Sequence, residues 1–220
     1  MAANLAKIGR KYGNSHDNQL CSGLALAKSI INKEEMVQTC ETERLLIRTL
    51  SLDDVPELTT ILSDPEVMKY SIRGVCDEAA TQRFIEWCLK SYATHNIGPL
   101  ALVEKVSGKL IGFCGVGTEE VNGVEEVGLG YRLAKQYWSK GLASEAVQAV
   151  LNDAFSQKQL SSVVAIIEPE NIASLKVAAK AGFSTFDIHD FHDRPVRLYR
   201  LTQHQWDALQ TNGMDATIAR

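Results

Sequence analysis

Three stretches of the chain carry residue types at spacings that suit chemistry on a phosphorylated ligand. The first is QYWSKGLASEA, residues 136–146. It leaves a strand, turns, and opens a helix. Gly141 and Ala143, with the small Ser139 and Ser144 around them, let a ligand come close to backbone N–H groups. The first turn of a helix presents unpaired N–H donors and the positive end of the helix dipole, and together these suit a pyrophosphate. A plain tight strand-to-helix turn explains the same residues equally well. The second stretch is VGLGYRL, residues 127–133. Glycines inside a strand mark a bulge or a close backbone approach. Gly128 and Gly130 share a face because side chains alternate. A bulge there would splay this strand from its neighbour and leave a gap for an extended ligand arm; a sheet bend making room for a large side chain is the alternative. The third is EPENIASLKVAAKAGF, residues 168–183. Pro169 stops a strand, Asn171 is placed to cap a helix, and Ser174 lies one turn later on the same side. An ordinary capped helix accounts for either residue alone.

Positioning these stretches requires an alternating chain. Residues 44–49 (RLLIRT) read as a strand. Ser51 and Asp54 form a capping box for a helix carrying Leu52, Val55, Leu58, Ile61 and Leu62 inward. Asp77 caps a second helix with Ala80, Phe84, Trp87, Cys88 and Tyr92 on its inner face. Strands follow at 100–105, 110–117 and 125–133, joined by turns at Ser107-Gly108 and Asn122-Gly123. A helix over about 139–157, an apolar strand at 162–168, a helix over 171–181 ended by Gly182, and strands at 183–189 and 196–202 complete the order. This is an α/β (α+β) chain: a mixed, mostly antiparallel twisted sheet with helices on both faces.

The 220 residues are 45% hydrophobic and 23% charged, the balance of an ordinary globular protein able to bury a core without staples. The net charge is −4. Residues 1–40 carry +2 and the remainder −6, so the body lacks the basic footprint of a nucleic-acid binder. No apolar run approaches the ~18 residues that would span a bilayer. The five cysteines, Cys21, Cys40, Cys76, Cys88 and Cys114, form no C-x-x-C pair. Their wide spacing reads as reduced thiols in a cytoplasmic protein without a structural metal. The segment DIHDFHDRP, residues 187–195, reads as a polar hairpin loop, with substrate contact or metal binding as lesser alternatives. Gly112, Gly115 and Gly117 read G-x-x-G-x-G ahead of a hairpin, which is not a dinucleotide fingerprint, and no P-loop is present. Residues 1–41 read as an extension, 42–210 as the domain and 211–220 as a tail. Residues 1–35 are expected to be mobile and dispensable for catalysis, with at most a weak helix around 23–35; an organellar targeting role is the alternative.

The three stretches in this order resemble the acetyl-CoA signature of the GNAT superfamily, and more narrowly the bacterial ribosomal-protein N-terminal acetyltransferases. TERLLIRTL (42–50) is similar to that subgroup's opening, YWSKGLASEA to its Y-W-G-K-G-x-A-x-E-A, ENIASLKVAAKAGF to its E-N-x-x-S…K-x-G-F, and LYRLTQHQW (198–206) to its last strand and following helix. The resemblance spans about residues 42–207. It implies splayed central strands and a direct acetyl transfer from acetyl-CoA, a co-substrate, to a primary amine, with a protein N-terminal α-amine favoured and a small amine as alternative. It implies that backbone amides of Trp138, Ser139, Lys140, Gly141, Leu142 and Ala143 hold the pyrophosphate, that Leu129, Gly130, Tyr131 and Leu133 flank the pantetheine, and that Asn171 and Ser174 bind its arm, with Ser174 protonating the thiolate. The chain departs from the pattern at Ser139 (glycine in the family), at Ala178 (often a tyrosine acid) and at Gly128 (a frequent glutamate). Glu126, on the face of Gly130, is therefore the first expectation for the general base, followed by Glu168, Asp187 and His189. A monomer or homodimer is expected, with neither nucleic acid nor membrane as partner. A catalytically silent acyl-CoA-binding module is the competing reading.

Overall fold

A computed structural model describes residues 39–218, with side chains for residues 40–211. The expected extension, including its weak helix, lies almost wholly outside the described residues. The chain opens with β1 (Thr39–Glu41), which pairs with β2 (Leu45–Thr49). A 3-10 turn (Leu52–Asp54) leads into α1 (Val55–Leu62). The expected capping box takes shape around that turn: the Asp54 carboxylate accepts from the Ser51 N–H at 2.8 Å, and Arg48 grips it with two hydrogen bonds of 2.6 and 2.8 Å. After a non-helical segment comes α2 (Glu78–His95), whose N-cap Asp77 accepts from the Ala80 N–H at 2.7 Å.

Strands β3 (Pro99–Glu104), β4 (Leu110–Val121) and β5 (Val124–Leu133) form a meander. The β4–β5 turn has positive φ at both central residues, 51° at Asn122 and 79° at Gly123. That is the twist a two-residue hairpin demands. A 3-10 turn (Lys135–Tyr137) precedes α3 (Leu142–Asn152), which runs on as a π turn to Gln157. Then follow β6 (Ser162–Ile167), α4 (Ile172–Lys180), β7 (Phe186–Asp190), β8 (Pro195–Thr202) and α5 (Gln203–Ile218). Helix α5 thus continues through most of the stretch expected as a tail.

The sheet order is β1-β2-β3-β4-β5-β6-β8-β7. Every neighbouring pair is antiparallel except β5 and β6, which run parallel and meet at one register pair, Gly128↔Val164. Parallel pairing demands a crossover, and α3 supplies it. The core sits between the sheet and its helices, where Phe113 of β4 lies 5.0 Å from Phe84 of α2, and Phe155 packs 5.4 Å from Trp206.

The splay arises differently from the expectation of a bulge in β5. Strands β4 and β5 keep an unbroken register from Gly112↔Leu133 to Val121↔Val124. The register shift lies instead between β3 and β4, at Leu102/Val103. The gap opens on the other side of β5, where β5 and β6 part beyond Gly128↔Val164. Crevices at the carboxyl ends of parallel strands are where open α/β sheets hold ligands.

Candidate active site

Two cavities occupy this crevice. One, of about 470 Å³, is lined by Leu133, Trp138, Ser139, Gly141, Leu142 and Ala143 on one side and by Ala173 and Lys176 of α4 on the other. The second, of about 150 Å³, is lined by Gly128, Leu129 and Gly130 of β5, by Ala165, Ile166 and Ile167 of β6, and by Glu119, Phe191 and Arg194. Both are bounded by Tyr70, Tyr131, Arg132, Asn171, Ser174 and Val177. These six residues mark where the two chambers meet.

The larger chamber fits a pyrophosphate and its organic arm. Helix α3 has Gly141 at its N-cap with φ 81°, so no side chain covers the first-turn N–H groups. Glu145 N–H is the first to bond back into the helix, to the Gly141 carbonyl at 3.1 Å. The donors ahead of it are left for a ligand, at the positive end of the dipole. Ser139 also has positive φ, 58°. It therefore lies outside the helix, which begins three residues later than expected, and its left-handed backbone is the conformation that glycine takes without cost. The Trp138 indole donates to the Leu133 carbonyl at 2.7 Å and fixes the loop to the end of β5. Lys140 lines neither chamber; its ammonium sits 5.3 Å over the Tyr137 ring. Lys176, which the sequence reading did not single out, adds a cation to the chamber wall.

Residues far apart in the chain hold this loop. Glu145 accepts from Thr42 Oγ1 at 2.5 Å, from the Arg44 N–H at 2.9 Å and from Arg44 Nε at 2.7 Å. Arg44 Nη1 in turn donates to the Lys140 carbonyl at 2.8 Å. The glutamate of the SEA triplet therefore ties the helix to the TER segment at the start of β2. Burial would raise its pKa, but the hydrogen bonds from Thr42 and Arg44 prevail and hold it below the usual carboxylate value.

At the junction, Asn171 caps α4 by accepting from the Ser174 N–H at 3.1 Å. The Tyr131 hydroxyl donates to Ser174 Oγ at 3.0 Å. Burial pushes the Tyr131 pKa up, so the phenol stays protonated at neutral pH. No sequence signal pairs these two residues; the parting of β5 from β6 brings α4 over β5. A strap crosses the junction as well. Tyr70 donates to the Glu170 carbonyl at 3.1 Å, and Glu66 is ion-paired with Lys135. The segment between α1 and α2 is thereby anchored to both rims.

The expected base is not brought to this junction. Glu126 is gripped by Arg200 through two hydrogen bonds, 2.5 and 2.8 Å long. Those bonds hold its pKa down. It lines a separate cavity with Asp187, His189 and Arg200. Of the residues next in line, Asp187 and His189 border that same separate cavity, and Glu168 is ion-paired with Arg194 at 2.9 Å. Glu168 does line the smaller chamber, and so does a second carboxylate, Glu119 of β4, which has 0% exposure. The sequence reading missed it because nothing within its own strand marks it. Segment 187–195 forms the β7–β8 hairpin, with His189 Nδ1 2.7 Å from Asn122 Nδ2. Among the described residues no group of three or more His, Cys, Asp or Glu could hold a metal ion, and no helix is long and apolar enough to cross a membrane.

A splayed sheet, an uncapped helix start at the crevice and a hydroxyl pair at its junction describe an acyl-transfer fold. Residues 44–184 match the acetyltransferase (GNAT) domain, and the chain belongs to that family. It is an acetyl-CoA-dependent acetyltransferase. It is 33% identical over 149 residues to the uncharacterized N-acetyltransferase p20 of Bacillus licheniformis, covering 67% of this chain and 83% of that one. A GNAT-family acetyltransferase from Bacillus anthracis superposes with a TM-score of 0.64 at 25% identity, over 76% of this chain and 99% of the other. The ribosomal L7/L12 α-N-protein acetyltransferase RimL shares the fold with a TM-score of 0.66 at 16% identity, over 78% of this chain and 97% of its own.

Proposed function

We propose that the protein transfers acetyl from acetyl-CoA directly to a single primary amine, with the α-amine of a protein N-terminus as the favoured acceptor. The observation that carries this reading is the junction itself. Two chambers on either side of the splayed strands meet at Tyr131, Ser174 and Asn171, so a thioester from one side and an amine from the other can meet there without a covalent enzyme intermediate. The backbone amides of Trp138, Ser139, Lys140, Gly141, Leu142 and Ala143 form the pyrophosphate cradle. Leu129, Gly130, Tyr131 and Leu133 flank the arm, and Asn171 holds it. A backbone N–H near Gly130 or Tyr131 polarises the thioester carbonyl. When the tetrahedral intermediate collapses, the C–S bond breaks and Ser174 gives its proton to the thiolate; the Tyr131 hydroxyl replaces that proton and is itself reprotonated from solvent. That pair fills the acid role left vacant at Ala178.

The smaller chamber is lined by as many guanidinium groups as carboxylates, Arg132 and Arg194 beside Glu119 and Glu168. Its lining is mainly apolar and aromatic, with Tyr70, Ile72, Ile166 and Phe191. Of its two carboxylates, Glu168 is neutralised by Arg194, and Arg132 adds a cation. The lining therefore carries no excess of negative charge to hold a polyamine or an aminoglycoside. The likeness to the ribosomal-protein enzyme supports the α-amine in fold only. The test is CoA-thiol release with acetyl-CoA and four acceptors: a peptide with a free N-terminus, butylamine, spermidine and an aminoglycoside. Turnover of the peptide ahead of the polycations is expected. Tight CoA binding with no turnover on any amine supports the silent-module reading instead.

A further inference from the structure

The sheet ends on β7, an edge that among the described residues pairs only with β8. The turn between them fixes which backbone groups face outward. Phe191 and Arg194 exchange N–H to carbonyl hydrogen bonds of 2.9 and 3.3 Å around His192 and Asp193, whose φ values are 53° and 60°. Bonded and non-bonded pairs alternate along an antiparallel ladder. Asp190↔Pro195 is therefore a non-bonded pair, which suits a proline without an N–H. By the same alternation Asp187 and His189 turn their N–H and carbonyl groups toward β8, while Phe186, Ile188 and Asp190 turn theirs away from it. Two of these outward-bonding residues also carry exposed apolar side chains, Phe186 at 42% and Ile188 at 66% exposure. Natural edges are blunted by lysine, proline or a bulge. Residues 186–190, FDIHD, contain neither lysine nor proline, and their register with β8 is unbroken. Such an edge is a template for another strand.

We propose that β7 pairs antiparallel with β7 of a second copy of this chain, about a two-fold axis at Ile188, so that the sheet continues from one protomer into its partner. Registers centred on Asp187, Ile188 or His189 all match outward groups with outward groups, and charge chooses between them. Centring on Asp187 sets that carboxylate opposite its own copy, and centring on His189 sets imidazole opposite imidazole. Centring on Ile188 sets Asp187 opposite the partner's His189, and symmetry repeats the pair. Both pairs fall at non-bonded positions, where opposed side chains come closest. The Asn122 Nδ2 amide can only donate, so His189 Nδ1, 2.7 Å from it, accepts. The neutral imidazole then carries its proton on Nε2, a donor for the partner's Asp187. Ile188 meets the partner's Ile188 at the axis, and the outward groups of Phe186, Ile188 and Asp190 fill every bonded position of the new ladder. On the other face, Phe186 and Ile188 of both copies form one apolar strip. The Arg197 guanidinium, 4.6 Å over the Phe186 ring, supplies a cation beside the partner's Asp190. Five-residue strands span only about 17 Å, so the interface is at the small end of specific ones, and a dissociation constant in the micromolar range is expected. The same hairpin carries Phe191, Arg194 and Val196 into the wall of the smaller chamber, so the contact braces part of the site.

Sedimentation equilibrium of the full chain, from about 1 to 200 μM, reads the pairing. Wild type should be dimeric at the upper end and dissociate on dilution. Ile188→Pro removes an N–H that β8 does not use, so the hairpin keeps its own ladder. Each copy nevertheless loses its central donor to the other, and the dissociation constant should rise about 100-fold or more. The melting temperature of the dilute protein should stay close to wild type. Asp187→His and His189→Asp each set like groups opposite one another and should weaken the dimer by about 10-fold. The double variant Asp187→His/His189→Asp restores opposite pairs and should return to within a few-fold of wild type, a recovery that a general loss of stability would not allow. A wild type that stays monomeric at the highest concentration overturns the proposal, whether the edge is bare or is covered by residues 1–38 of the same chain. A dimer that Ile188→Pro leaves as tight as wild type is built on another surface and overturns it too. If Ile188→Pro does not fold, a double exchange that is no tighter than the single variants overturns the pairing.

Discussion

Glu145 offers a sharp test of how the cradle is held, because the structure places it on the protein rather than on a ligand. Glu145→Gln keeps the shape and removes the charge. The native carboxylate accepts three hydrogen bonds, at 2.5, 2.7 and 2.9 Å, and forms an ion pair with Arg44 Nη2 at 2.6 Å. A hydrogen bond to a charged group contributes about 1.5–3 kcal/mol. The Arg44 side chain is 44% exposed, so its share is discounted for screening, and the glutamine still accepts some of these bonds. A net loss of about 2 kcal/mol remains, or roughly 4–8 °C in Tm for a domain of this size. The pH dependence has a definite sign. The folded pKa of Glu145 is depressed, so its contribution is present above the unfolded value of about 4.3 and is lost as pH falls through the folded pKa. Wild type and variant should therefore differ by the full amount at pH 7 and converge as pH falls from the unfolded value of about 4.3 through the lower folded pKa. Because Arg44 also supports the Lys140 carbonyl, CoA affinity should weaken, by less than about 10-fold, a coupling of the size expected for a group acting through a neighbour. Melting curves from pH 3.5 to 7 with parallel CoA titrations measure all three. An unchanged Tm at pH 7 together with abolished CoA binding would refute the reasoning, since it would mean that Glu145 acts on the ligand.

The remaining expectations concern the loop, the sheet and the acid. Gly141→Ala should lose about 1–2 kcal/mol from its left-handed backbone alone, while Gly141→Glu should also abolish CoA binding, although its side chain would start 3.4 Å from Arg44 Nη2. A folded Gly141→Glu protein with parental affinity in calorimetry would dismiss the cradle. Gly115→Ala should destabilise by about 3 kcal/mol or more, since its Cβ meets backbone at 2.3 and 2.6 Å; a Tm within 1 °C of wild type, far inside the shift that about 3 kcal/mol implies, counts against the close approach. Ser174→Ala and Tyr131→Phe should each lower kcat by about 10-fold or more with CoA affinity nearly unchanged, and the double variant should be little worse than Ser174→Ala alone. Fully additive losses would show that the two hydroxyls do not act as a unit.

What the sequence by itself determined follows from chemistry that acts over a few residues. Asn122-Gly123 demanded a two-residue hairpin, Asp77 and Asn171 each capped the helix they precede, and Gly141 marked the helix start at the crevice. Alternation placed Gly128 and Gly130 on one face, and the motif order indicated an acetyl-CoA site. Local reading erred where a neighbour decided the outcome. The helix after Trp138 begins late because Ser139 and Gly141 adopt left-handed backbone, and no bulge interrupts β5 because its twin β4 holds register along the whole strand. The functional pairings all depend on sheet order. Tyr131 meets Ser174 across 43 residues, Arg200 claims Glu126 across 74, and Glu145 reaches Thr42 across 103. Glu119 lies in a strand with no motif of its own, and its Cβ comes 3.4 Å from where a Gly128 side chain would begin on the next strand. A glutamate on one strand and a glycine on another carry no mutual signal until the register sets them side by side, which is why the lining of the smaller chamber belonged to the tertiary structure.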